Sequence, residues 1–261
     1  MKRTAMAAAC AFALAGAVFA QDQEYSAFHT GGSAPTIDAN LSDWSGVPEG
    51  VALTDFTANG GGVWNGEDDA SGTFWLLWDE NGLYFAADIT DDSHLNTGVG
   101  AGIWNGDGAQ VAIDPTAERG GGNNMYEFNF GLGGPNSDSP QFSRALKFAT
   151  GPAAVGVAAD DYAIARIEAE KRTVYEVFFP AAAIAPTALE AGGSIGFGMI
   201  VNDGDDEPGQ QGQKGWLGWG ANAIVFGKDT SQMNVVNFVG TPASVDPADK
   251  LSISWGTLKT R

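Results

Sequence analysis

Along this chain apolar side chains alternate with polar ones or gather in short runs, and Gly, Asn, Asp or Pro closes almost every run. Alternation with period two puts one set of side chains on each face of a strand, whereas helical spacing of apolar residues hardly occurs. The pattern predicts strands over 73–78, 83–90, 110–113, 126–132, 163–169, 173–179, 194–201 and 235–239. Asp79, Glu80, Asn81 and Gly82 join the first two as a hairpin, with Asn-Gly as the turn signal. The only short helix the pattern admits is 180–186, between two prolines. Strands recurring at this spacing predict an all-β protein, an antiparallel β-sandwich of two packed sheets of the immunoglobulin-like or jelly-roll-like kind.

Composition then changes the picture in three places. The first is the amino terminus, where Lys2 and Arg3 precede an apolar stretch that ends at Val18, Phe19 and Ala20, with small side chains at the first and last of these. That is the layout of an export signal over 1–20, and it implies a secreted or periplasmic product. The apolar run is shorter than the roughly 20 residues a bilayer requires, so no membrane span is expected. Cys10 lies in this leader, so neither disulfides nor thiol chemistry is expected of the mature chain. The remainder reads as an extension over 21–34 and one domain over 35–261.

The second is charge. Loss of Lys2 and Arg3 with the leader leaves 11 basic against 32 acidic residues, a net charge of −21. Nucleic acid is a poor partner for such a surface, while neutral glycans, calcium or plain solubility all suit it.

The third is the glycine content, 37 residues, concentrated partly in two long loops over 59–66 and 98–108 that carry Trp64 and Trp104. Long loops holding an aromatic residue are candidate binding loops. Of the eight tryptophans, Trp75 and Trp78 lie three apart in one strand and must face opposite sides, so at least one belongs to the core, and Trp44 closes the core near the amino end. Trp104 sits among small and polar residues, and Trp216 and Trp219 come after the acidic run 202–209, so one of that pair is expected to be exposed. Indole faces stack on the C–H patches of a pyranose, and planar polar groups satisfy its hydroxyls. Asn105, Asp107, Asn202 and Lys214 are the candidates for that second task.

Several stretches together resemble the family 9 carbohydrate-binding modules. They are the entry 35–44 ending at Trp44, the run 78–94 from Trp78 to His94, the run 103–115 around Trp104 and Asp107, and 175–180 with Tyr175 and Glu176. The resemblance implies a β-sandwich of the kind attached to xylanases and other glycoside hydrolases, a poly- or oligosaccharide as partner, and two tryptophans sandwiching a terminal sugar ring. By position Trp104 matches the first of these, and Trp219 or Trp216 the second. It also implies calcium bracing the loops, for which Asp91, Asp92, Asp203 and Asp205 are the candidate ligands, and no organic cofactor is expected. The sequence departs from the family at Gln110, where an acidic residue is usual, and in the glycine-rich 98–102.

Asp91, Asp92 and His94 also suit ordinary turn chemistry at a strand end, and the acidic run 203–207 lacks the twelve-residue calcium-loop pattern. No nucleophile elbow, metal-binding His pair or phosphate loop occurs, so catalysis by this chain alone is not expected. Two other functions stay open on the sequence: an extracellular haem domain using His94 with Met125, Met199 or Met233, and a structural surface protein.

Overall fold

The computed structural model describes residues 23–48, 50–152 and 156–243. The expected leader with Cys10, and the chain after residue 243, lie outside the described residues. Among the described residues thirteen strands succeed one another: β1 (Glu24–His29), β2 (Val51–Leu53), β3 (Phe56–Ala58), β4 (Ala70–Asp79), β5 (Gly82–Asp91), β6 (Gly108–Asp114), β7 (Tyr126–Gly133), β8 (Ser139–Leu146), β9 (Tyr162–Ile167), β10 (Arg172–Pro180), β11 (Ser194–Asp203), β12 (Gly215–Trp219) and β13 (Asn234–Pro242). Among the described residues there is no α-helix, and the short helix expected over 180–186 is a single 3-10 turn, Ala181–Ala183. No helix of the described residues is long and apolar enough to cross a membrane.

The strands form one hydrogen-bonded path, β8-β7-β6-β11-β13-β1-β4-β5-β10-β9, with β12 added to β11, β3 to β12 and β2 to β4. This corrects the expectation of two separate antiparallel sheets. The link is β1, which runs parallel to both β13 and β4. Because β1 and β13 come from opposite ends of the domain, no hairpin turn dictates their relative direction. The segment expected as an extension thus contributes a strand inside the sheet, with Tyr25 and Ala27 turned inward.

The path bends so that its two halves face each other across the core. Rings from strands far apart along the path are in contact: Phe128 of β7 lies 5.0 Å from Phe179 of β10, and Phe74 of β4 lies 5.9 Å from Phe197 of β11. Alternation explains which residues meet. Tyr126, Phe128, Phe130 and Leu132 of β7 point in, as do Ala109, Val111 and Ile113 of β6 and Phe197, Met199 and Val201 of β11. Each large side chain so buried stabilises the fold by about 1.5–3 kcal/mol.

On the far side of β4, β5 and β10 a smaller cluster of Trp44, Leu77, Tyr84 and Ala86 seats the amino-terminal segment. Glu176 of β10, fully buried, holds it by accepting from Trp44 Nε1 at 2.7 Å and from the Asp38 and Asn40 amides at 3.1 Å. The outer face of β6, β7, β11 and β12 remains, and the functional features lie there.

Candidate functional site

On that outer face the sheet registers bring Ser143, Asn129, Gln110 and Ile200 into one row across β8, β7, β6 and β11, with Glu127 of β7 in the next row. Trp216 pairs with Asn202, one row from Ile200 on the side away from Glu127. The loop between β5 and β6 and the segment after β12 rise at the edges of this face and enclose a cleft of about 480 Å³. That is within the roughly 300–1,000 Å³ typical of small-ligand sites. Gln110, Asn129 and Glu127 lie at its floor, Trp216 at its base, and Trp104 and Phe226 at its rim. Trp104 is 44% exposed and Phe226 77% exposed.

Trp104 is held by its main chain, which leaves the indole free. Its carbonyl accepts from Asn202 Nδ2 at 2.8 Å and from Gln110 Nε2 at 3.5 Å. Behind it, buried Asn96 donates to the carbonyls of Ile103 and Asp107, both at 2.8 Å, closing the loop on itself. Gly106 is required here, because a Cβ would come within 2.8 Å of the Asn96 side chain.

Phe226 is not among the residues the sequence singles out. It stands edge-on to Trp216 with ring centres 5.4 Å apart, and Phe226, Gly227 and Lys228 all have positive φ, at 56°, 135° and 56°. A bulky residue held in left-handed backbone is uncommon, and such strain gathers at binding sites. Lys228 turns back into the cleft and its Nζ donates to the buried Glu127 carboxylate, so the ion pair adds no net charge to the floor. Asn129 donates to Ser143 Oγ at 3.2 Å, but its buried Oδ1 has no hydrogen-bond partner. A buried carbonyl oxygen left unpaired costs about 1–3 kcal/mol, which a donor entering the cleft would recover.

The tryptophan pair divides. Residues three apart in a strand face opposite sides, so Trp219 enters the main core, 5.6 Å from Phe74 and 6.1 Å from Phe197, while Trp216 faces the cleft. At 5% exposure Trp219 presents no face to a ligand, which corrects it as a candidate wall. Trp216 itself is only 2% exposed and serves as base rather than wall.

Of the expected hydrogen-bonding partners, Asp107 and Asn202 are corrected as well. Asn105 accepts from the Gln213 amide at 3.0 Å and lines a separate small cleft. Asp107 is buried and accepts from the amides of Leu95 and Gly204. Asn202 is spent on Trp104 and Gln213. Lys214 lies beside the loop 59–62, where its carbonyl accepts from the Asn59 amide. Trp64, in the same glycine-rich stretch, stacks on Phe56 at 5.9 Å and donates to the Ala70 carbonyl at 3.0 Å.

The acidic residues form two groups. Asp69, Asp92 and Asp205 bring carboxylate oxygens within 4.8 Å of one another, and Asp69 is a member that no sequence signal marks. Asp203 lies close enough for burial, then the charges of Asp69 and Asp205, to push its carboxyl up to about 8, and Asp205 is pushed up to about 6 chiefly by burial. Asp91 leaves this set. Its carboxylate turns to His94, to Arg166 at 3.3 Å and to the Ser93 amide. Among the described residues the cleft beside His94 has no methionine in its lining, and Met125, Met199 and Met233 are all buried elsewhere. That arrangement does not fit the haem alternative.

A β-sandwich with amides on one outer face and exposed aromatics above them defines a ligand-binding module. Residues 37–241 match the family described as carbohydrate family 9 binding domain-like, and the chain belongs to that family of non-catalytic, carbohydrate-binding modules. Two solved structures share its fold, both of a family 9 module from Caldicellulosiruptor kristjanssonii. The one in complex with cellotriose is 14% identical with a TM-score of 0.56, over 87% of this chain and 97% of that one. The one in complex with glucose is 13% identical with a TM-score of 0.57, over 86% and 100%. No curated protein sequence matches the chain.

Proposed function

We propose that this chain is an exported, non-catalytic module that grips a neutral sugar ring between Trp104 and Phe226, over Trp216, and so holds a partner hydrolase on its polysaccharide. The observation that carries the reading is the pairing of two exposed aromatic rims with a polar floor in which buried Asn129 Oδ1 lacks a donor. A sugar offers an apolar ring face to the aromatics and hydroxyl donors to the amides of Gln110 and Asn129. A neutral ligand fits both the paired Glu127 and Lys228 and an acidic surface, of net charge −19 for the full chain. That solved relatives hold glucose and cellotriose makes β-linked glucose the first ligand to try.

Calcium fits the Asp69, Asp92 and Asp205 group. Its donors are all carboxylate oxygens, as a hard cation prefers, and burial, then the like charges of the group, raises Asp203 and Asp205 above the ordinary carboxylate range. Bound there, calcium would join the start of β4 to the ends of β5 and β11 by neutralising their repulsion.

Tryptophan fluorescence titrated with glucose, cellobiose and cellotriose tests the reading. Saturable quenching by at least one of them is expected, and no response to any of them or to a wider panel of neutral glycans would contradict it.

A further inference from the structure

Two buried side-chain atoms among the described residues lack a hydrogen-bond partner, Asn129 Oδ1 and His94 Nδ1. The second lies outside the sugar cleft, in a side chain only 5% exposed. His94 Nε2 stands 3.1 Å from the Leu132 carbonyl, which can only accept, so Nε2 carries the proton and donates it there. In the neutral ring Nδ1 is therefore a bare lone pair. It points at two carboxylates, with Asp91 Oδ2 at 3.4 Å and Asp107 Oδ2 at 3.9 Å. Three lone-pair donors converging in a buried place repel one another unless a proton or a metal cation lies between them, and Arg166 at 3.3 Å offsets the charge of Asp91 alone.

We infer that Asp91, His94 and Asp107 form a site for a zinc-class divalent transition ion, separate from the all-oxygen group at Asp69, Asp92 and Asp205. Ligand chemistry separates the two. An imidazole nitrogen suits zinc, cobalt or nickel, whereas calcium and magnesium take oxygen. Size agrees too. Metal–ligand bonds of about 2.0–2.2 Å in a tetrahedron put the donors roughly 3.3–3.6 Å apart, and here His94 Nδ1 stands 3.4 Å from Asp91 Oδ2 and 3.9 Å from Asp107 Oδ2.

The supporting shell is in place, as metal sites require for fixing ligand orientation. Leu132 fixes the histidine tautomer, Arg166 holds Asp91, and the Leu95 and Gly204 amides hold Asp107. His94 and Arg166 also line an open cleft of about 450 Å³ beside this group. Asp91 ends β5 and Asp107 directly precedes β6, so the ion staples together the two ends of the loop that carries Trp104.

The inference stands independently of the sugar reading, and its test measures no sugar binding. Chelator-stripped protein is titrated with Co2+ and read by its visible d–d bands. One Co2+ per chain is expected, displaced by Zn2+ and not by excess Ca2+. In His94→Ala and His94→Gln affinity falls at least about tenfold, while His29→Ala, which alters the chain's other histidine, leaves it unchanged. Absence of saturable Co2+ binding in the wild type, displacement by Ca2+ as readily as by Zn2+, or unchanged binding in both His94 variants would overturn it. The wild-type titration decides even if a variant misfolds.

Discussion

Trp219→Ala and Trp104→Ala remove the same side chain from opposite kinds of place. Trp219 is buried against Phe74 and Phe197, so its loss takes away the transfer energy of an indole and leaves a cavity between the halves of the sandwich. Substitutions of this kind cost about 3–5 kcal/mol. For a domain of this size each kcal/mol moves the melting midpoint by about 2–4 °C, so a fall of roughly 6–20 °C is expected. The indole of Trp104 is nearly half exposed, and the bonds that pin its loop use its carbonyl, which alanine retains. Its loss is expected to cost less than about 1 kcal/mol. Thermal unfolding of wild type and both variants, followed by circular dichroism, compares the two. Equal drops, or a larger one for Trp104→Ala, would refute the assignment of Trp219 to the core and Trp104 to the rim.

Asn202→Ala leaves the Trp104 carbonyl without its shorter hydrogen bond, so sugar affinity should fall by about twofold to tenfold in a calorimetric titration with the fold intact. Trp44→Phe deletes the bond to the buried Glu176 carboxylate, and chemical denaturation should show a loss of about 1.5–3 kcal/mol with sugar binding unchanged. Asp203 has its folded-state pKa raised to about 8 by burial and then by Asp69, so the folded chain retains a proton that the unfolded chain has already released above about pH 4. Stability of the chelated protein therefore falls as pH rises from about 4 to 8. Melts in chelator should give a higher midpoint at pH 5.5 than at pH 8, calcium should raise the midpoint more at pH 8, and Asp203→Asn should flatten the trend.

Strands are legible in the sequence where the contrast between faces is strong. All eight predicted strands occur, because buried strands of a sandwich show their alternation plainly, as Tyr126, Phe128, Phe130 and Leu132 do in β7. Strands without that contrast escape the pattern. The edge strand β8 is polar and contains Pro140, β12 is Gly-Trp-Leu-Gly-Trp, and β1 reads as an extension although Tyr25 and Ala27 alternate. The parallel pairing of β1 is a relation between distant segments, which no local pattern carries.

The site is legible in part. Trp104 among small residues announces an exposed ring, and the spacing of Trp216 and Trp219 implies opposite faces. Gln110, a departure from the family, lies on the cleft floor. Asn129 and Glu127 are hidden in a strand whose apolar positions dominate the pattern, and the intervening polar residues are the available signal. Phe226 gives a weaker one: a phenylalanine followed by Gly-Lys outside any strand pattern is an unusual thing to leave in solvent. Asp107 and Asn202 mislead because a polar residue beside a ligand aromatic can serve either the ligand or the loop, and here both serve the loop.

Isothermal titration of wild type, Trp104→Ala and Phe226→Ala with cellotriose tests the central claim most directly. Loss of one aromatic face should cost about 1–3 kcal/mol, or roughly fivefold to more than a hundredfold in affinity, in each variant. Saturable binding in the wild type with weakening of that order in both variants, all three melting alike, is the predicted result. Equal affinity in all three proteins would contradict the account, because the sugar would then lie somewhere other than between these two rings.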